Sequence, residues 1–267
     1  MMGWLQRLAP PLALTALLLA LWEAYVRAAA VPRTILPSPS RILRASVDEA
    51  DLLSWHARQT LLETVAGFLL AVAVAALCAA AIDFFPMARR ALFPVLITSQ
   101  TVPIIALAPL LVLWFGYGVM PKVLIVALVC FFPMVVAAVH GLAATDPELI
   151  KLYRTFGATR RQIFRLVRLP TALPSFFAGA RIAVTYSVIG AVFGEYVGAT
   201  RGLGILLQTA KNSYRTDLVF AMIAVTAALS LALYGLVILI ERLVIPWSRF
   251  AAAESQWQGG ERGRAAE

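Results

Sequence analysis

Six stretches of this chain are predominantly apolar for about 20 residues or more, and most of the charged residues gather between them. They cover about 10–28, 60–82, 93–116, 121–142, 176–197 and 217–245. A helix needs about 20 such residues to cross the hydrocarbon core of a bilayer, so each stretch predicts one transmembrane helix. The expected fold is an all-α membrane protein: a short N-terminal segment over 1–9, a six-helix domain over 10–247, and a tail over 248–267. That tail ends in "ESQWQGGERGRAAE", polar and glycine-rich, and is expected to be disordered.

Two stretches need comment. The first is followed by "VRAAAVP" and so has the outline of a signal peptide. A retained span is the preferred reading, because the later spans do not need a removable signal. The third, "FPVLITSQTVPIIALAPLLVLWFG", contains Pro103 and Pro109, each of which removes a backbone donor and kinks a helix. Within a bilayer such breaks persist only where protein or a water-lined cavity satisfies the freed carbonyls. Ser99, Gln100, Thr101 and Pro103 are therefore candidates to line a path for a small polar solute, although hydrogen bonding between helices is the favoured use of the three polar side chains. Trp114, Phe115 and Tyr117 fit an aromatic belt at the membrane surface.

Composition agrees: 61% of residues are hydrophobic and 14% charged, against about 25% charged in soluble domains. A net charge of +9 suggests nucleic acid in a soluble protein. In a membrane protein basic residues instead mark loops held inside, near anionic lipid, so membrane lipid is an expected partner and nucleic acid is not. Six spans put both termini on one side. The short loop "FFPMARRALFP", with Arg89 and Arg90, and the six Lys and Arg residues of 151–168 fall on that side, which makes it cytoplasmic.

Chemistry is sparse. Cys78 and Cys130 sit in apolar runs without disulfide or metal spacing, and His56 and His140 are isolated, so no metal or cofactor is expected. The sequence lacks a GxxxxGK[ST] phosphate loop and an acid/base constellation, which argues against an enzyme.

The stretch "KLYRTFGATRRQIFRLVRLPTALP" over 151–174 carries six cations and no acid. Asp146 and Pro147 signal the start of a helix running to Phe156, Gly157 interrupts it, and Thr159 is placed to N-cap a second. Arg161, Arg165 and Arg168 are spaced to share one face while Ile163, Phe164 and Val167 share another. Leu169 and Pro170 are expected to close the segment, giving two short helices on the cytoplasmic face between the fourth and fifth spans. Such a pair can lie on anionic lipid, or present Tyr153, Phe156 and its arginines to a groove on a soluble partner. Periodicity does not choose between them.

This segment resembles the cytoplasmic loop of permease subunits of bacterial ATP-binding-cassette importers, in which an acidic-Ala-Ala triplet, a glycine and a Leu-Pro pair recur. Gly157 and Leu169-Pro170 match, whereas Lys151, Leu152 and Tyr153 replace the triplet, and Glu148 lies one turn earlier. "LPSPSRIL", "PMARRALFPVL", "VPIIALAPLLVLWFGYG", "FFPMVVAAVHGLAATDPELI", "VIGAVFGEYVGATRGLGILL" and "TDLVFAMI" extend the likeness, in order, to the nitrate/sulfonate/taurine-type branch. The resemblance implies a homodimer in the bacterial inner membrane, with a translocation path at its interface. It also implies two separate partners, an ATPase subunit and a periplasmic substrate-binding protein. ATPase coupling would then rest on Glu148, Lys151, Tyr153, Arg154, Phe156, Gly157, Ala158, Arg161, Phe164, Arg165, Leu169 and Pro170.

Glu195, in "AVFGEYVGA" near the outer end of the fifth span, is an intramembrane acid and so a functional candidate by default. It can line a gate, but pairing with Arg201 or Lys211 is the favoured reading. Asp83, at the inner end of the second span, is placed to pair with Arg89 or Arg90. The glycines of "GATRGLGILL" suit a tight turn before a short re-entrant or interfacial helix. "VIGAVFGEYVGATRGLG" is more like permeases for thiamine-precursor pyrimidines or riboflavin than like those for sulfonate, taurine or nitrate. The alternative is a stand-alone secondary transporter, which calls for internal repeats and midplane carboxylates that the sequence does not display.

Overall fold

The computed structural model describes residues 2–99, 101 and 103–247. Among them every regular element is helical: α1 (Met2–Ala28), α2 (Pro39–Asp48), α3 (Ala50–Phe84), α4 (Pro86–Ser99), α5 (Ile104–Phe115), α6 (Val119–Ala143), α7 (Pro147–Thr155), α8 (Arg160–Ile163), a π-helical turn (Phe164–Arg168), α9 (Leu169–Gly198), α10 (Leu203–Asn212) and α11 (Thr216–Val244). Five helical runs are long and apolar enough to cross a membrane: Ala9–Ala28, Ala50–Phe84, Val119–Ala143, Arg160–Gly198 and Thr216–Val244. The expected tail over 248–267 lies outside the described residues.

The crossing expected over 93–116 is different. It is divided between α4 and α5, with Pro103 as the N-cap of α5 and Pro109 inside it. The 12 residues of α5 reach about 18 Å at 1.5 Å each, short of the roughly 30 Å hydrocarbon core. Proline has no N–H to continue the ladder and disfavours helix in the residue before it, so the run breaks where a kink was expected.

The second difference lies at the Leu169-Pro170 pair. The second short helix does not close there; α8, the π turn and α9 run on from Arg160 to Gly198. Pro170 offers no N–H to the Leu166 carbonyl, and the ladder widens just before it, with the Leu169 N–H donating to the Phe164 carbonyl. A proline close to the start of a long apolar helix is thus absorbed by a π turn instead of ending the segment.

The chain forms two compact units, Met1–Leu62 with Val192–Leu229, and Glu63–Ala191 with Ser230–Glu267. In the first, Leu53, Leu203, Leu206, Ala210, Leu218, Ala221 and Met222 form a buried cluster, so α10 packs on the start of α3 and the first half of α11. Glu23 of α1 fixes the entry to α2 by accepting from the Ser40 amide at 2.9 Å and its hydroxyl at 2.8 Å. In the second unit α3, α6 and α9 approach closely through small residues. A Cβ on Gly67 would lie 2.5 Å from Val126 Cβ, and one on Gly179 2.6 Å from the Pro133 carbonyl oxygen. Helices in lipid gain little from burying apolar surface against one another, so this backbone proximity is where their packing energy comes from.

Candidate functional site

The cytoplasmic-loop candidate is a stiff corner built from local capping. Asp146 accepts from the Glu148 amide at 2.8 Å and Pro147 occupies the first helical position, starting α7 as expected. Its end is a Schellman motif: Gly157 adopts φ 77°, its N–H donates to the Arg154 carbonyl at 2.9 Å, and the Ala158 N–H donates to the Tyr153 carbonyl at 3.0 Å. Thr159 and Gln162 then close a capping box at the start of α8, the Thr159 amide donating to Gln162 Oε1 at 2.7 Å. These caps hold the backbone on both sides of Gly157 with local hydrogen bonds, which restrains the angle between α7 and α8.

From this corner Phe156 stands 79% exposed, with Arg154, Arg161 and Arg165 also exposed. Ile163 and Val167 are buried and Phe164 half-buried, as their spacing predicted. Tyr153 is half-buried, not exposed. Glu148 accepts from Lys151 Nζ at 2.8 Å in a surface pair that water and salt readily exchange. Leu169 is exposed and Pro170 half-buried, so the Leu-Pro pair belongs to the base of α9.

The arginines do not form one stripe. A π turn advances each residue by less than the about 100° of an α-helix, so Arg168 rotates away from Arg161 and Arg165. It pairs with the Asp83 carboxylate at the end of α3, a partner far from Asp83 in sequence where the neighbouring Arg89 or Arg90 was expected. Arg160 Nη2 donates to the Asp83 carbonyl at 2.9 Å, its guanidinium lies 5.5 Å from the Phe84 ring centre, and Phe84 packs on Phe164 at 4.9 Å. Four contacts thus tie the last turn of α3 to α8 and the π turn. Sequence spacing did not reveal this, because the partners lie 77 and 85 residues apart.

In the other unit, Glu195 and Thr60 are both fully buried. Glu195 accepts from Thr60 Oγ1 at 2.7 Å and from the Gly204 amide at 2.7 Å, while the Leu203 amide donates to Thr60 Oγ1 at 2.9 Å. The N-cap of α10 is Gly202, which has no side chain to satisfy the first amides, so Glu195 and Thr60 do so from α9 and α3. Gly202 holds φ 133°, and a Cβ there would fall 2.1 Å from Glu195 Cδ. Only glycine leaves room for the carboxylate. Arg201, expected as the partner of Glu195, instead donates to the Trp55 carbonyl at 2.8 Å and stacks 3.5 Å over the Trp55 ring. His56 Nδ1 sits 3.0 Å from the Gly202 amide, a second polar contact to this turn that the sequence did not disclose.

Of the remaining path candidates, Ser99 ends α4, Thr101 is exposed and donates to the Thr98 carbonyl at 2.7 Å, and Pro103 caps α5. Gln100 lies outside the described residues. Glu195 belongs to the first unit and 99–103 to the second. Lys122 was missed: it is 1% exposed and its Nζ donates to the Tyr117 and Gly118 carbonyls at 2.8 and 2.9 Å, tying the loop before α6 to the helix. Among the described residues no group of acids, histidines and cysteines is placed to hold a metal ion.

Residues 67–246 match the family model described as binding-protein-dependent transport system inner membrane component. A probable ABC transporter permease protein of Haemophilus influenzae is 39% identical over 85% of this chain and 93% of its own length. A formylaminopyrimidine transport permease protein of Halalkalibacterium halodurans is 36% identical over 87% and 93%. A riboflavin transport system permease protein of Chloroflexus aurantiacus is 38% identical over 86% and 87%.

Proposed function

The chain belongs to the family of binding-protein-dependent transport system inner membrane components, and we propose that it forms a homodimer whose 147–168 corner docks an ATPase subunit. It is a permease subunit of an ATP-driven importer and not an enzyme. In our reading ATP-driven closure of the partner moves the corner as a rigid body, and the uninterrupted helix from Arg160 to Gly198 carries that motion across the membrane. Both termini would then be cytoplasmic, with the binding protein delivering solute to the opposite face.

The observation that carries the docking assignment is the combination of internal stiffness and outward display. The corner's backbone is capped on both sides, yet Phe156, Arg161 and Arg165 have exposed side chains and no ion pair among the described residues. An exposed aromatic flanked by cations on a preorganised backbone is the composition of a binding anchor. The departure at Lys151-Leu152-Tyr153 leaves Glu148 as the nearest acid, and its weak pair with Lys151 releases it to a partner cation at little cost.

For cargo we propose a nitrogen heterocycle of the formylaminopyrimidine or riboflavin kind, after which two relatives more than 35% identical are named. The path would run past the α4–α5 break, where Ser99, Gln100, Thr101 and Pro103 lie, with Glu195 as a scaffold acid. Co-purification of the tagged chain with its cognate ATPase tests the docking: wild type retains the ATPase, whereas Phe156→Ala and Arg161→Glu lose it with the permease still inserted. Retention by both variants would move docking elsewhere. Uptake assays with formylaminopyrimidine, riboflavin and taurine test the cargo, and transport of taurine alone would overturn it.

A further inference from the structure

Two clefts open beside the Asp83 tie, and their walls differ. The larger, about 360 Å³, is lined by Ala79, Ile82, Val139, Leu142 and Ala143 together with Asp83, Arg160 and Arg168. The smaller, about 250 Å³, shares Asp83, Arg160 and Arg168 and adds Arg154. Three guanidiniums therefore surround one carboxylate, an excess of two positive charges.

Those cations are only partly used. Arg168 engages Asp83 through Nη1 and Arg160 engages the Asp83 carbonyl through Nη2, which leaves further N–H donors on each fork. Arg154 makes no ion pair among the described residues. The wall of the larger cleft includes the ends of α3 and α6, two helices long and apolar enough to cross a membrane, and its rim is open at the exposed Ala143.

We propose that this paired cleft is a binding site for an anionic phospholipid. The headgroup phosphate sits among Arg154, Arg160 and Arg168, and an acyl chain leaves the cleft past the exposed Ala143 at the end of α6. Guanidinium forks match phosphate oxygens geometrically, and basic pockets between membrane helices are where such headgroups bind. Bound there, the lipid would bridge α3, α6 and the α7–α8 corner. The site needs no ATPase, so its failure leaves the docking assignment standing.

Native mass spectrometry of the detergent-solubilised full chain tests it by titration with phosphatidylglycerol, phosphatidylcholine of the same chains, and inorganic phosphate. Wild type should retain phosphatidylglycerol over phosphatidylcholine, and phosphate should compete with it. Arg154→Gln, which leaves the Asp83 tie intact, should weaken phosphatidylglycerol binding about fivefold, the worth of one surface cation. Ala143→Phe, which obstructs the larger cleft at its exposed rim, should weaken lipid binding while leaving phosphate binding unchanged. Equal retention of the two lipids, or phosphatidylglycerol binding untouched by both variants, overturns the proposal. Phosphate binding that depends on Arg154 without any phosphatidylglycerol preference also overturns it, in favour of a free-phosphate site.

Discussion

The two ends of α9 handle charge in opposite ways. At its N-terminal side, Arg161 and Arg165 project from a corner whose backbone is already capped, and nothing among the described residues neutralises them. Near its C-terminal end, Glu195 is buried and accepts hydrogen bonds from Thr60 and the Gly204 amide. A charge satisfied from within serves the scaffold, because a partner would have to break existing bonds to use it. A charge left outside on a stiff backbone is available at little reorganisation cost. Sequence favours a structural role for Glu195 and leaves the arginines open between lipid and a partner. The hydrogen bonds to Glu195 agree with the first, though they come from Thr60 and the Gly204 amide and not from a cation.

The largest effect should come from Gly202. With φ 133° and a Cβ position 2.1 Å from Glu195 Cδ, Gly202→Val must displace the carboxylate and strain the turn together. We expect no monodisperse protein on extraction from the membrane, by size-exclusion chromatography. Recovery of a normal elution profile would mean that Glu195 can leave its site, and the scaffold half of the comparison would fail.

Glu195→Leu comes next. It leaves the Thr60 hydroxyl and the Gly204 amide without that acceptor, at roughly 1–3 kcal/mol for each buried group. Glu195→Gln keeps an acceptor oxygen and should lose much less. Thermal melting in detergent should rank wild type, Gln and Leu in that order. If instead transport falls equally in both variants while melting is unchanged, Glu195 is a path residue and not a cap.

Gly157→Ala isolates backbone geometry at the other end. No atom lies within 4 Å of the added Cβ, so the cost is conformational, about 1–2 kcal/mol for a left-handed residue. ATPase recruitment should fall further than that small loss of stability suggests, because the angle of the corner changes. Unchanged recruitment would show that the corner's stiffness is irrelevant to docking.

How much of this was legible beforehand follows the range of the interactions. The crossing helices, the Asp146, Gly157 and Thr159 caps and the short helix after "GATRGLG" depend on residues within a few positions, and the sequence shows them directly. The continuation through Leu169-Pro170 was missed because a π turn absorbs the proline, an accommodation no propensity encodes. The partners found for Asp83 and Glu195 lie beyond local spacing: sequence proximity points to Arg89 or Arg90 and to Arg201 or Lys211, whereas Arg168, Thr60 and the Gly204 amide are supplied by packing.

The smallest structural effect is the most informative about the missing acidic-Ala-Ala triplet. Glu148 and Lys151 have side chains 78% and 69% exposed, and exposed pairs three apart on a helix contribute little to stability. Glu148→Ala should therefore leave the melting temperature unresolved from wild type. If the ATPase meets this corner through a cation, the same substitution removes its counter-charge, and ATPase affinity measured on the purified permease should drop about tenfold, the scale of one good interfacial charge contact. A drop in affinity without a drop in melting temperature identifies Glu148 as standing in for the triplet's acid. Unchanged affinity leaves Phe156 and the arginines to carry docking by themselves, and then the corner is read by its aromatic and positive charges alone.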